Sequence, residues 1–323
     1  MRPNTGMKSL FKSYRSSREL KRLAKENGAQ DSAQGKHLSV LNDIVFKAIL
    51  TSDSEDSREA LRHLLSTCTH REVSGVQVKN SELLPPHLNA KLARFDVHVT
   101  FNDGESADLE MQLCKPEDDL KKRAVQYTSI LMSGQSRKGR KYREIKRVYQ
   151  IFFLNFILFP DSDMLCRRYF FMEEKEHDRL TDAAEIIFYE MPKLEPKVLD
   201  ILAGKIDMET DIKNLSREEK WCTFMKYRHE DWAGKLIEEL SRKEEGIMRA
   251  EMVAERIDRD YEKFARRMAE EKNRLDIALR REAIRRASLA EGRAEGRQEE
   301  RQYILDMLDR GLSIEEIKRQ LKN

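Results

Sequence analysis

Three carboxylates and an amide fall on one parity of a short alternating stretch. Residues 93–113 read ARFDVHVTFNDGESADLEMQL, with Asp96, Asp108, Glu110 and Gln112 all on the polar side of the pattern. Phe95, Val97, Val99 and Phe101 form one face of a first strand, and Leu109, Met111 and Leu113 one face of a second. Like charges set opposite each other across strands destabilise a hairpin. Two anions held a few ångströms apart are either protonated or hold a cation, and a cation between Asp96 and Glu110 is the arrangement with chemical use. A hard divalent ion takes such oxygen ligands, keeps several waters and lowers the pKa of one of them.

The turn decides whether these groups meet. Asn102-Asp103-Gly104 suits a three-residue loop, a type I turn closed by a left-handed residue, which Gly104 adopts without steric penalty. That register sets Asp96 opposite Glu110, Phe95 opposite Met111 and Val97 opposite Leu109. A two-residue turn at Asp103-Gly104 would set Asp96 against Met111 and mix the faces. Asp108 shares the parity but lies nearer the turn, and it is expected to face solvent; His98 is expected to be a bystander. The plain alternative is that the whole row is the wet face of an antiparallel hairpin, where alternating polar residues usually sit.

Other elements must carry the hairpin. In HLSVLNDIVFKAIL, Val45, Phe46, Ile49 and Leu50 recur at helical spacing, with Asn42 or Asp43 at the N-terminal end. A second helix is expected near residues 56–67, then a strand at VSGVQV and a break at Pro85-Pro86. Pro116 is expected to open the helix PEDDLKKRAVQYTSILMSG, on which Arg123 and Tyr127, four apart, share a face. Arginine favours phosphate contacts, although this pair also suits an ordinary helix edge. A basic loop follows with Arg137, Lys138, Arg140, Lys141 and Arg143. VYQIFFLNFILF, apolar on both faces, reads as a strand in the middle of a sheet, with CRRYFFME and AAEIIFYEM as further strands. The whole predicts an α/β sandwich, a mixed sheet flanked by helices.

The chain has 323 residues, 37% of them charged, and a net charge of only +3, so any nucleic-acid binding must come from local patches. No apolar run approaches the roughly 20 residues of a membrane span. The basic start, MRPNTGMKSLFKSYRSSRELKRLAKENG, lacks the apolar stretch of a secretory signal, and the four cysteines form no CxxC pair, so a reducing cytoplasm is expected. Five segments are expected: a basic polar arm at 1–37, a core at 38–200, a helical extension packing on it at 201–237, a long charged helix at 238–302, and a small terminal helix pair at 303–323.

The stretch from about 38 to 225 resembles the Rpn family of recombination-promoting nucleases, putative transposases of the PD-(D/E)XK superfamily. LNDIVFKAIL, RFDVHVTFNDGESADLEMQL, RAVQYTSIL, IFFLNFILF and AAEIIFYEMPKLEP carry the likeness by their order and spacing. The resemblance implies a restriction-endonuclease-like core and hydrolysis of DNA phosphodiester bonds with Mg2+, or Mn2+ as a substitute. It places Asp96 and Glu110 as metal ligands, Gln112 where most members carry lysine, and Asp43 as an acidic residue of the first core helix. DNA is the implied partner, gripped by Arg123, Tyr127, Arg137, Lys138, Arg140 and Lys141, and the helical tail is a candidate for self-association. The rival expectation is a non-catalytic, DNA-binding or oligomerising remnant of a transposase.

Overall fold

Residues 148–154 read VYQIFFL, and a run apolar on both faces needs cover on both sides. The computed structural model describes residues 37–79, 82–83, 93–94, 96–135, 141–204, 208–260 and 307. Residues 1–36 of the expected arm, Pro85-Pro86, Phe95, Arg137, Lys138, Arg140 and, apart from Met307, the tail beyond 260 lie outside the described residues. Two units divide the chain, 1–261 and 262–323. The described strands all lie in the first.

In chain order these are β1 (Val76–Val78), β2 (Glu82–Leu83), β3 (Ala93–Arg94), β4 (Val97–Phe101), β5 (Ser106–Gln112), β6 (Val148–Leu154), β7 (Cys166–Tyr169) and β8 (Ala184–Glu190). Six of them form one sheet of order β1-β4-β5-β6-β8-β7, while β2 pairs with β3 alone. β5, β6 and β8 run parallel, and the outer strands are antiparallel to their neighbours. Every residue of β6 is buried, as its sequence demands. The strand stops at Leu154, so the second half of VYQIFFLNFILF is not part of the sheet.

Helices cover both faces. α1 (Asp43–Thr51) is capped by the Asn42 side chain, which accepts from Ile44 N–H, and α2 (Glu55–Thr69) by Ser54. α1 packs on β4 and β5, with Phe46 and Phe153 5.9 Å apart between ring centroids. On the opposite face α3 (Leu120–Ser133) lies over β6 and β8. Its start differs from the one expected at Pro116. The Asp119 carboxylate accepts from Lys121 and Lys122 N–H and caps the helix there.

α4 (Glu195–Leu202), α5 (Met208–Asn214), α6 (Arg217–Tyr227), α7 (Gly234–Lys243) and α8 (Glu245–Arg259) follow. α7 spans the boundary expected at 237/238, and the uniform charged helix expected beyond it is broken at Glu244, whose backbone is extended. Glu244 accepts from Lys220 Nζ at 2.8 Å and faces His63; burial works against its ionisation, but these partners win and hold its carboxyl down at about 2. The break turns α8 onto α2, where Ile247, Ala250, Val253, Ala254 and Ile257 are buried. Over residues 245–259 the ragged apolar spacing is thus one side of a helix docked on the core.

Gly246 makes that docking possible. A Cβ at this position would overlap the His63 ring, which Trp221 Nε1 holds by a 3.0 Å hydrogen bond to Nδ1. On an open helix surface glycine-to-alanine stabilises by about 1 kcal/mol. Here Gly246→Ala is expected to destabilise by about 1–2 kcal/mol through overpacking. Urea unfolding measures it, and an equal or more stable variant would show that α8 does not rest on His63.

Candidate functional site

The turn between β4 and β5 is the three-residue loop. Gly104 N–H donates to Phe101 O at 2.9 Å, Phe101 N–H donates to Glu105 O at 2.7 Å, and Gly104 has φ 86°. Val97 pairs with Leu109 and His98 with Asp108, the register that the loop length dictates. β4 begins one residue after Asp96, and side chains continue the pairing where the backbone ladder stops. Asp96 N–H donates to Glu110 Oε1 at 3.2 Å, and Met111 N–H donates to Asp96 Oδ2 at 3.0 Å. These reciprocal bonds tie the two carboxylates to one end of the hairpin.

The parallel register then sets Asp108 beside Gln150, Glu110 beside Phe152 and Gln112 beside Leu154. All of these share the sheet face over which α3 packs, since Leu120 and Ala124 join Phe152, Leu154 and Phe188 in one cluster. The polar row is therefore indoors, with Glu110 3% exposed and Asp108 0%. This overturns the expectation that Asp108 faces solvent. Gln150 Nε2 donates to Asp108 Oδ2 at 2.5 Å, while Asp108 Oδ1 and Gln150 Oε1 have no partner. Gln150 is the one amide in an otherwise apolar and aromatic strand, and that anomaly is the available sequence signal.

Burial without full pairing makes these carboxyls hard to ionise. Desolvation pushes Glu110 well above the usual carboxylate range, and the charges of Asp108 and Asp96 add to it while Arg123 opposes it. Asp108 is likewise raised by desolvation, against the Gln150 hydrogen bond. Asp96 is pushed up to about 6, chiefly by burial; the Met111 N–H lowers it, Asp43 raises it, and Arg123 and Lys47 lower it.

The surrounding residues arrive from separate elements. Asp43, in the first turn of α1, is exposed and accepts from Ile44 N–H at 2.8 Å, yet its charge bears on Asp96. Gln112 Nε2 donates to Glu110 Oε2 at 3.4 Å. Arg123 reaches the carboxylates from α3, and its buried Nε and Nη2 atoms have no hydrogen-bond partner. Tyr127, 5.9 Å from the Arg123 guanidinium, packs against the cluster of Leu131, Val148 and Ala184. Lys141 is exposed in the loop before β6, and no contact joins it to the carboxylates among the described residues. Lys47 escapes a reading of motifs; its position four residues after Asp43 is the available clue.

A divalent cation fits this donor set. The side chains are oxygen donors, the choice of hard ions, and Arg123 is the one cation whose charge bears on all three of Asp96, Asp108 and Glu110. The orphaned Asp108 Oδ1 points to the same deficit of positive partners. Among the described residues no three His, Cys, Asp or Glu side chains already converge as a ligand set. Asp96 and Glu110 are the pair that could hold an ion, since ions such as magnesium complete their shell with water.

A carboxyl raised in the folded state contributes stability that is complete below its unfolded value and is lost as pH climbs to its folded one. For Asp96 that window runs from its ordinary 3.8 to about 6. Wild type without divalent ions is therefore expected to lose on the order of 2 kcal/mol relative to Asp96→Asn between about pH 4 and pH 7. Thermal melts of both proteins across that range check it. Parallel curves would mean that Asp96 ionises freely.

The chain matches the family model of the PD-(D/E)XK nuclease family transposase over residues 40–287. No curated protein and no solved structure matches it. The matched span includes the hairpin, the sheet and the helices on both of its faces, and among the described residues no helix is long and apolar enough to cross a membrane. With most of its length covered by that model, and with a mixed sheet carrying the acidic hairpin at its centre, this chain belongs to the PD-(D/E)XK nuclease family transposases.

Proposed function

We propose that the chain is a magnesium-dependent DNA endonuclease of the cytoplasm that hydrolyses phosphodiester bonds in recombination or transposition. The observation that supports it most is a buried surplus of carboxylates at one end of β5, tied together by the Asp96 and Glu110 bonds and facing Arg123, whose buried Nε and Nη2 are unsatisfied. A fold that served only as a platform would have no reason to bury that surplus.

In this reading Asp96 and Glu110 hold the ion. Such an ion supplies charge neutralisation at a phosphoryl oxygen and a water made more acidic. Gln112, hydrogen-bonded to Glu110, orients a water or phosphate oxygen through its amide and carries no charge. Asp43 adds negative potential at the Asp96 side. Arg123 presents unsatisfied N–H groups suited to a phosphate, and guanidinium binds phosphate in a bidentate fork. Arg137, Lys138, Arg140 and Lys141 are assigned to the DNA backbone by their charge. Tyr127 is assigned to holding the Arg123 side chain in place.

Plasmid cleavage by the full chain with magnesium, manganese and calcium in parallel tests the proposal. Wild type is expected to nick DNA with magnesium and manganese. Asp96→Ala and Glu110→Ala should each lose about 100-fold or more, on the scale of removing one group that stabilises a transition state. Equal cleavage by wild type and both variants would assign the activity to a contaminant and the carboxylates to structure.

A further inference from the structure

Arg167 and Arg168 are neighbours on β7, the edge strand of the sheet, and alternation sends them to opposite faces. Arg168 is saturated. It pairs with Glu185 at 2.6 Å and Glu218 at 3.4 Å and donates to Cys68 O of α2, so it ties the edge strand to the helices behind the sheet. Arg167 lies opposite Phe188, which puts it on the face that α3 covers. Among the described residues no carboxylate pairs with it.

Arg167 sits over aromatic rings instead. Its guanidinium lies 4.6 Å from the Phe159 centroid and 5.7 Å from that of Tyr169, and the two rings stack 5.7 Å apart. Lys121, exposed in the first turn of α3, brings its ammonium to 4.7 Å from the Phe159 centroid and likewise pairs with no carboxylate among the described residues. The loop that carries Phe159 is fixed in place, because the buried Glu190 side chain accepts from the N–H groups of Leu158 and Phe159 and from Lys193. Tyr169 keeps 37% of its surface exposed. Cations without counter-ions beside a ring open to water have the two properties that a single strand of nucleic acid requires, charge for its phosphates and a ring face for its bases. In a duplex the base faces are already stacked on one another, and exposing one costs free energy.

Strand register relates this surface to the acidic hairpin. Glu110 pairs with Phe152, Phe152 with Phe188 and Phe188 with Arg167, one row across four strands. At about 4.8 Å per strand the ends of that row are about 14 Å apart, which is about four nucleotides at the 3.4 Å rise of a stacked strand. The row is covered in the middle by Leu120 and Ala124 of α3, and Lys121 stands at the same end of that helix.

We propose that Tyr169, Arg167 and Lys121 bind an unpaired stretch of DNA, with Tyr169 stacking on a base and the two cations holding phosphates. That this stretch lies within about four nucleotides of the phosphate to be cut rests on the nuclease reading above; the binding itself does not.

Fluorescence anisotropy of a labelled oligothymidine with the full chain, without divalent ions, tests the surface. Tyr169→Ala should weaken binding about tenfold, and Tyr169→Trp, which keeps a stacking ring, should bind as wild type does or more tightly. Arg167→Gln should reduce the slope of log affinity against log salt by about 0.7, the share of one phosphate contact on a single strand. Wild-type affinity and slope in Tyr169→Ala and Arg167→Gln would overturn the proposal. An equal loss on a fully paired duplex would overturn the claim for unpaired bases. A wild type that sediments as a dimer and a monomeric Tyr169→Ala with unchanged oligothymidine affinity would assign the β7 edge to a second copy of the chain instead. With magnesium added, a wild type that binds oligothymidine through Tyr169 but cuts no DNA upholds the surface and sinks the nuclease reading alone.

Discussion

The packing of α3 across a row of acidic side chains is the constraint from which the rest of the site follows. An antiparallel hairpin can leave its polar face in water at little cost, but β5 is also the parallel neighbour of β6, and β6 is apolar on both faces. Covering Phe152 and Leu154 with Leu120 and Ala124 necessarily covers Glu110 and Asp108 as well. Charges removed from water must be neutralised by protons, by fixed cations or by an ion. The raised carboxyls, the orphaned Asp108 oxygen and the unsatisfied Arg123 nitrogens are three expressions of that single tension.

Neutralisation is only part of the problem, because the carboxylates must also be held in place. The Asp96 and Glu110 side chains each accept a backbone N–H from the other strand, so each completes the ladder for its partner. This fixes both groups without consuming a side-chain cation. Arg123 therefore approaches the cluster with buried N–H groups still free, in contrast to Arg228, which is held between Glu251 and Asp258. Arg71 and Arg249 also bury an unpaired Nε, yet each holds two ion pairs or more, whereas among the described residues no ion pair holds Arg123. That contrast is what marks the site, and it agrees with membership of a nuclease family whose chemistry handles phosphate.

The helices behind the sheet play the supporting part. α8 docks on α2, Trp221 fixes His63, and Glu244 ties α6 to the start of α8 through Lys220. α1 packs with α2 and against β4 and β5, and the charges of its Asp43 and Lys47 bear on Asp96. Residues 245–259 thus contribute to the rigidity of the body that holds the site, although their composition reads as a solvated tail. All four cysteines are unpaired, so none of this rigidity comes from disulfides.

Local chemistry is legible in the residues alone. Loop length and the freedom of Gly104 set the hairpin register, alternation sets which side chains share a face, and the double-sided apolarity of 148–154 makes a central strand. The order of these pieces is enough to indicate the family. Alternation cannot say what covers a face, however, because cover comes from segments distant in the chain. It is the packed chain that puts Asp108 at full burial against Gln150, caps α3 at Asp119 instead of opening it at Pro116, and lays α1 against β4 and β5. Each depends on how α1 and α3 are laid on the sheet, a matter of long-range packing that no short window of sequence contains.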